Sequence, residues 1–139
     1  MKTLYKFIAE LNGKTGIGNT DGNKGQCVGL VMVWIDNLGL SHFYGHARDL
    51  FANAPVKQWK KIKNTPTGYP ISGDIIVFDK TMGGGFGHTG VVIESDEKSD
   101  SVTIFEQNNP ANVPGVACEV TTYKGAYWKA VVGWLRPLK

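Results

Sequence analysis

A chain of 139 residues with 42% hydrophobic side chains suits one domain with one packed core, and a globular fold is expected rather than disorder. Its 15 basic and 12 acidic residues leave a formal charge of +3, which suits an anionic partner surface without requiring one. No stretch approaches the roughly 18 apolar residues of a membrane span, and Met1 to Leu11 lacks the apolar core and cleavage site of a signal peptide.

Leu4, Phe7, Ile8 and Leu11 recur at helical spacing and predict an amphipathic helix over 3–12. Gly13 to Gly25 holds five glycines with Asn19, Asp21 and Asn23, a loop composition. A second helix is predicted over 26–37, with Leu30, Val31, Trp34 and Ile35 toward the core and Gly39 as its C-terminal stop. A short third helix fits Ala47 to Ala52. The basic run Lys57 to Lys63 reads as a solvated face. No nucleic-acid motif accompanies it, so nucleic acid is not an expected partner. Beyond Pro70 the period becomes two. Strands are predicted over 74–78, 89–94, 102–108, 119–123 and 131–135, joined as an antiparallel meander. Helices followed by strands argue an α+β fold, in a single domain over 1–139 without internal repeats.

Two residues stand in settings that suit chemistry. Cys27 ends the glycine-rich loop and begins an apolar helix. A helix N-terminus favours negative charge, and the thiolate is the reactive form of cysteine. His88 follows Gly83-Gly84-Gly85-Phe86-Gly87 and opens a strand, where it can serve as a base. On the next strand Glu106 and Asn108 alternate onto one face, opposite Thr103, Phe105 and Gln107, and either can orient an imidazole. Gln26 and the Cys27 backbone N–H are candidate oxyanion donors. Cys118 reads as a small buried residue, although a single Cys27–Cys118 bridge is compatible with composition. His42 and His46 have zinc-like spacing, but no third ligand accompanies them and Gly45 disfavours a helix there, so no metal site is expected.

An ordered set of motifs narrows this. Gly25-Gln26-Cys27-Val28-Gly29-Leu30, Gly73-Asp74-Ile75-Ile76-Val77-Phe78, Gly87-His88-Thr89-Gly90-Val91-Val92 and Ile104-Phe105-Glu106-Gln107-Asn108 resemble, in order, four motifs of CHAP domains (cysteine, histidine-dependent amidohydrolase/peptidases). Tyr44-Gly45-His46-Ala47-Arg48-Asp49 is similar to a segment that bacteriophage endolysins carry beside the cleft, and Val132 to Pro137 also fits. The resemblance implies a papain-like fold of the NlpC/P60-superfamily type, with N-terminal helices packed on an antiparallel sheet. It implies a peptidoglycan amide hydrolase, amidase or endopeptidase, with Cys27 as nucleophile, His88 as base, Glu106 as orienter and Asn108 in support. The alternatives are an NlpC/P60-type peptidase, against which the lack of any histidine after His88 argues, and a non-catalytic wall-binding module, which has no use for a thiol beside a base.

Further expectations follow from the resemblance. The partner is bacterial peptidoglycan and the protein a monomer, made in the host cytoplasm and reaching the wall by holin-type release or virion delivery. A separate wall-binding domain is not part of this chain. Some phage members bind calcium in the loop before the cysteine. Here that loop offers one carboxylate, Asp21, with Asn19 and Asn23, and position 29 is Gly. The expectation is no cofactor, with calcium the one remaining candidate, bound weakly if at all.

Overall fold

Helix α2 (Cys27–Asn37) is apolar on every side, with Leu30, Val31, Met32 and Ile35 fully buried; a helix of that kind must be surrounded. The computed structural model, which describes residues 1–65, 68–109 and 115–138, shows how. Helix α1 (Leu4–Leu11) lies beside α2 and inserts Phe7 edge-on against Trp34, with centroids 5.0 Å apart. A 3-10 turn (Ala47–Asp49) runs into α3 (Leu50–Asn53). The strands are β1 (Trp59–Lys63), β2 (Ile75–Phe78), β3 (His88–Asp96), β4 (Ser101–Glu106), β5 (Glu119–Lys124) and β6 (Val131–Pro137), with the single-turn α4 (Ala126–Lys129) between the last two. The α+β class and the packing of N-terminal helices on an antiparallel sheet stand as expected.

The sheet has six strands in the order β1-β6-β2-β3-β4-β5, with every pairing antiparallel. Strand alternation divides its side chains. Ile75, Val77, Val91, Phe105 and Leu135 join the helices in one cluster. Ile76, Phe78, Val92, Val102, Ile104, Tyr123 and Trp134 build a second on the other face.

Three expectations need correction. Residues 59–63 are an edge strand rather than a solvated basic face: Trp59 is buried while Lys60 and Lys63 are exposed. Lysines on an edge block further strand addition, and here they masked the strand pattern. The meander holds for β2 to β5, but β6 leaves it and inserts between β1 and β2. The strand expected to reach 108 ends at Glu106, and Asn108 takes a left-handed conformation with φ 64°.

Two of the sequence motifs act as fasteners. Asp74, at the entry to β2, accepts from Arg136 Nε at 3.0 Å and Nη2 at 2.8 Å, which ties β2 to β6. Arg48 donates its backbone N–H to Phe86 O at 2.9 Å and its guanidinium to Gly85 O at 2.8 Å, holding the turn that precedes His88. Gly87 in that turn has φ 81°, and a Cβ there would lie 2.6 Å from the Arg48 nitrogen, so only glycine fits.

Candidate active site

Cys27 is the first residue of α2, behind the N-cap Gln26. Its N–H has no acceptor within the helix, and its side chain meets the positive end of the helix dipole. The preceding loop is fixed by amides. Asn23 is buried; its Oδ1 accepts from the Asn19 and Thr20 nitrogens at 3.1 Å each, and its Nδ2 donates to Asn19 Oδ1 at 2.7 Å. Gln107, fully buried just past β4, donates from Nε2 to Ile17 O at 2.8 Å and Gln26 O at 2.7 Å, while its Oε1 accepts from Ile17 N at 3.0 Å. One side chain thus fastens the loop, and the residue before the cysteine, to the end of the base-orienting strand. Gly29 completes the fit: a Cβ there would stand 2.1 Å from Asn23 O.

His88 opens β3 and is 3% exposed. Its Nε2 lies 2.7 Å from Glu106 Oε1, which leaves Nδ1 for another partner. Burial opposes the imidazolium, but hydrogen bonds and opposite charge from Cys27 and Glu106 overcome it and raise the His88 pKa to about 9. Glu106 is fully buried at the end of β4. Burial alone would raise its pKa; the hydrogen bond and charge of His88, helped by Tyr123 and Asn109, instead hold it below the usual carboxylate value. Its oxygens are saturated. Oε1 also accepts from the Tyr123 hydroxyl, and Oε2 accepts from Thr121 Oγ1 at 2.7 Å and Asn109 Nδ2 at 3.0 Å.

Above this buried pair lies a cleft of about 510 Å³, lined in part by Lys24, Gln26, Cys27, His46, Phe86 and Asn108. Gln26 is exposed and its Nε2 donates to Gly22 O at 3.1 Å, which leaves the second amide proton for a ligand. His46 packs against Phe86 with the rings tilted and 4.8 Å between centroids, forming part of the wall. Cys118 is a free, buried thiol against Gln107 Oε1, pushed up to about 11 by burial.

The residues singled out from sequence therefore separate by position. Cys27, His88 and Glu106 form a connected line. Gln26 and Asn108 face the cleft, but Asn108 is not on the imidazole; the backbone reversal past Glu106 removes it from the alternation that suggested it. Gln107, Thr121, Tyr123 and Asn109 were missed. For Gln107 the signal was present, since a polar side chain on the helix-facing side of β4 must find partners there. For Thr121 and Tyr123 the signal was absent, because which strand neighbours β4 is a matter of topology.

The polar side chains of the loop before Cys27, the candidate calcium ligands, are engaged with one another and with their neighbours. The Asn23 carboxamide is consumed within the loop, Asn19 Nδ2 donates to Tyr44 OH at 3.0 Å, and fully exposed Asp21 faces Lys24 at 3.4 Å. The loop backbone leaves no room for a carboxylate at position 29. Among the described residues no three of His, Cys, Asp and Glu gather as metal ligands.

Residues 17–108, the stretch that contains Cys27, His88 and Glu106, match the family model for the CHAP domain. The chain belongs to the CHAP domain family. Endolysin PlyTW of Staphylococcus phage Twort is 28% identical over 144 residues, covering 99% of this chain and 30% of that protein. The chain thus spans under a third of the length of that curated relative. Among solved structures, wild-type endolysin LysIME-EF1 superposes with a TM-score of 0.76 at 22% identity, over 99% of this chain and 65% of that one. Ly7917 with the hydrolyzing product of MDP gives 0.66 at 19% identity, over 94% and 60%. At these identities the likeness carries the fold, and it agrees with the sheet and helices of this CHAP domain.

Proposed function

We propose that this CHAP domain hydrolyses an amide bond of bacterial peptidoglycan through a Cys27 nucleophile. The observation that carries the reading is the buried line Cys27–His88–Glu106, in which a carboxylate 2.7 Å from Nε2 fixes the imidazole with its other nitrogen toward a thiol at a helix N-terminus. Family membership and the likeness to a phage endolysin supply the substrate class.

The Cys27 thiolate attacks the carbonyl carbon of the scissile amide, forming a C–S bond. The Cys27 N–H and the second amide proton of Gln26 stabilise the resulting oxyanion. The C–N bond then breaks as His88 donates its proton to the leaving amine. A water molecule, deprotonated by His88, attacks the thioester and releases the new carboxylate and the thiolate. Glu106 holds the imidazole in one tautomer and balances its charge throughout. No metal ion takes part, and the domain acts as a monomer on the wall after holin-type or virion-borne delivery.

Cys27→Ala protein with an unchanged circular dichroism spectrum is expected to lose all turbidity reduction on purified walls. Iodoacetamide is expected to label Cys27 well before buried Cys118. Lysis by a folded Cys27→Ala protein overturns the reading. Mass spectrometry of wild-type digests names the bond from the new termini.

A further inference from the structure

Glu106 is held from β5 as firmly as from β3. The Tyr123 hydroxyl and the His88 Nε2 both address the same oxygen, Oε1, while Thr121 and Asn109 occupy Oε2. Tyr123 is buried, and its ring closes an aromatic box with Phe78 and the imidazole: centroids lie 5.2 Å apart for Phe78–Tyr123, 5.9 Å for Phe78–His88 and 6.4 Å for His88–Tyr123. We propose that Tyr123 is a positioning residue whose hydroxyl aims Glu106 Oε1 at His88 and, by sharing that oxygen, limits how strongly the carboxylate retains the imidazole's proton.

This rests on the reading of Cys27, His88 and Glu106 as the catalytic set. A carboxylate oxygen that accepts two hydrogen bonds offers each less negative charge than one that accepts a single bond. A base that must release its proton to a leaving amine benefits from that sharing, because an over-stabilised imidazolium is a poor acid. The hydroxyl is well suited to a donor role. Burial first, and then the Glu106 charge, push the Tyr123 pKa strongly upward, so the proton stays on the phenol. The other titratable groups nearby are Cys27 from α2, which faces His88, with Glu119 from β5 and Tyr127 from α4, which act on Tyr123. None of these addresses Oε1.

Two variants move the hydroxyl's strength in opposite directions. Tyr123→Phe removes the donor and keeps the ring. Site-specific replacement of Tyr123 by 3-fluorotyrosine makes the phenol a stronger donor with almost no change in shape. The His88 imidazole is titrated by NMR, the Cys27 alkylation rate is followed against pH, and kcat and KM are measured on solubilised wall. Tyr123→Phe is expected to raise the His88 midpoint by about half a pH unit and to lower kcat roughly tenfold with little change in KM; fluorotyrosine is expected to lower the midpoint. If Tyr123→Phe leaves the midpoint and kcat unchanged and only lowers thermal stability, Tyr123 is structural and the proposal fails. If Tyr123→Phe does not fold, an unmoved or raised midpoint in the fluorotyrosine protein overturns it equally. Titration and alkylation need no substrate, so a wild-type protein inert on walls would count against the function and leave this proposal to be decided by the midpoints.

Discussion

The two walls of the cleft are built on different physics. On the nucleophile side, a glycine-rich loop is held by neutral amides, Asn23 and Gln107, and presents exposed Gln26 and Lys24 to solvent. On the base side, regular strands bury a charged pair, His88 and Glu106, and saturate it with donors from β5 and the segment after β4. Position on the first side comes from many modest hydrogen bonds; proton affinity on the second comes from a few strong ones. Cys27 itself aside, damage to the loop side should therefore appear mainly as lost stability, and damage to the strand side mainly as lost rate.

After the loss of Cys27 itself, the largest effect should come from the strand side. His88→Ala is expected to lower wall hydrolysis by about 10³-fold, and Glu106→Gln by roughly 10²-fold, both measured as initial turbidity rates on folded protein. Glu106→Gln should also draw the His88 midpoint down from about 9 toward its ordinary 6.5. The folded His88 binds its proton more tightly than the unfolded one. Its contribution to stability is therefore complete below pH 6.5 and lost as pH rises toward 9. Urea midpoints measured across that window should fall with pH for wild type, and fall less for Glu106→Gln.

An intermediate effect belongs to the hinge between the two walls. Gln107→Leu strands the Ile17 N–H and the Ile17 and Gln26 carbonyls, at a cost of about 3 kcal/mol in unfolding free energy. Urea denaturation measures it. A stable Gln107→Leu protein with a crippled rate would break the division drawn above. The smallest effect is expected from metal removal. Excess EDTA, followed by restored calcium, should change neither rate nor thermal midpoint; a stabilisation that saturates with calcium would mean that the loop binds the ion, with ligands beyond Asp21, Asn19 and Asn23.

Most of the candidate catalytic set was legible in sequence, and less of its support. Cys27 at a helix start, His88 at a strand start and the alternation through Glu106 are local patterns, and local patterns survive folding. Asn108 does not share the face of Glu106 that alternation gave it, because alternation ends where the strand ends and a left-handed residue at that point cannot be read from side-chain spacing. Thr121 and Tyr123 were silent because cross-strand partners depend on sheet order. The β1 strand was hidden by its lysines, whose edge position makes them tolerable. Gly29 stood out as a departure from calcium-binding relatives; its cause, contact with the loop backbone, is tertiary.

The place of β6 has a consequence for how the molecule assembles. Residues 131–137 lie between β1 and β2 and contribute Trp134 and Leu135 to both faces of the sheet. Until that segment has been synthesised, β1 has no neighbour and β2 is paired on one side only. Contacts so distant in sequence form slowly, and unpaired edges are where a nascent chain is most exposed to misassembly. Ribosome-bound chains stopped before residue 131 should accordingly remain protease-sensitive, although they already carry Cys27, His88, Glu106 and Tyr123. Competence for hydrolysis would then arrive all at once, with the final strand, rather than accumulate as the chain grows.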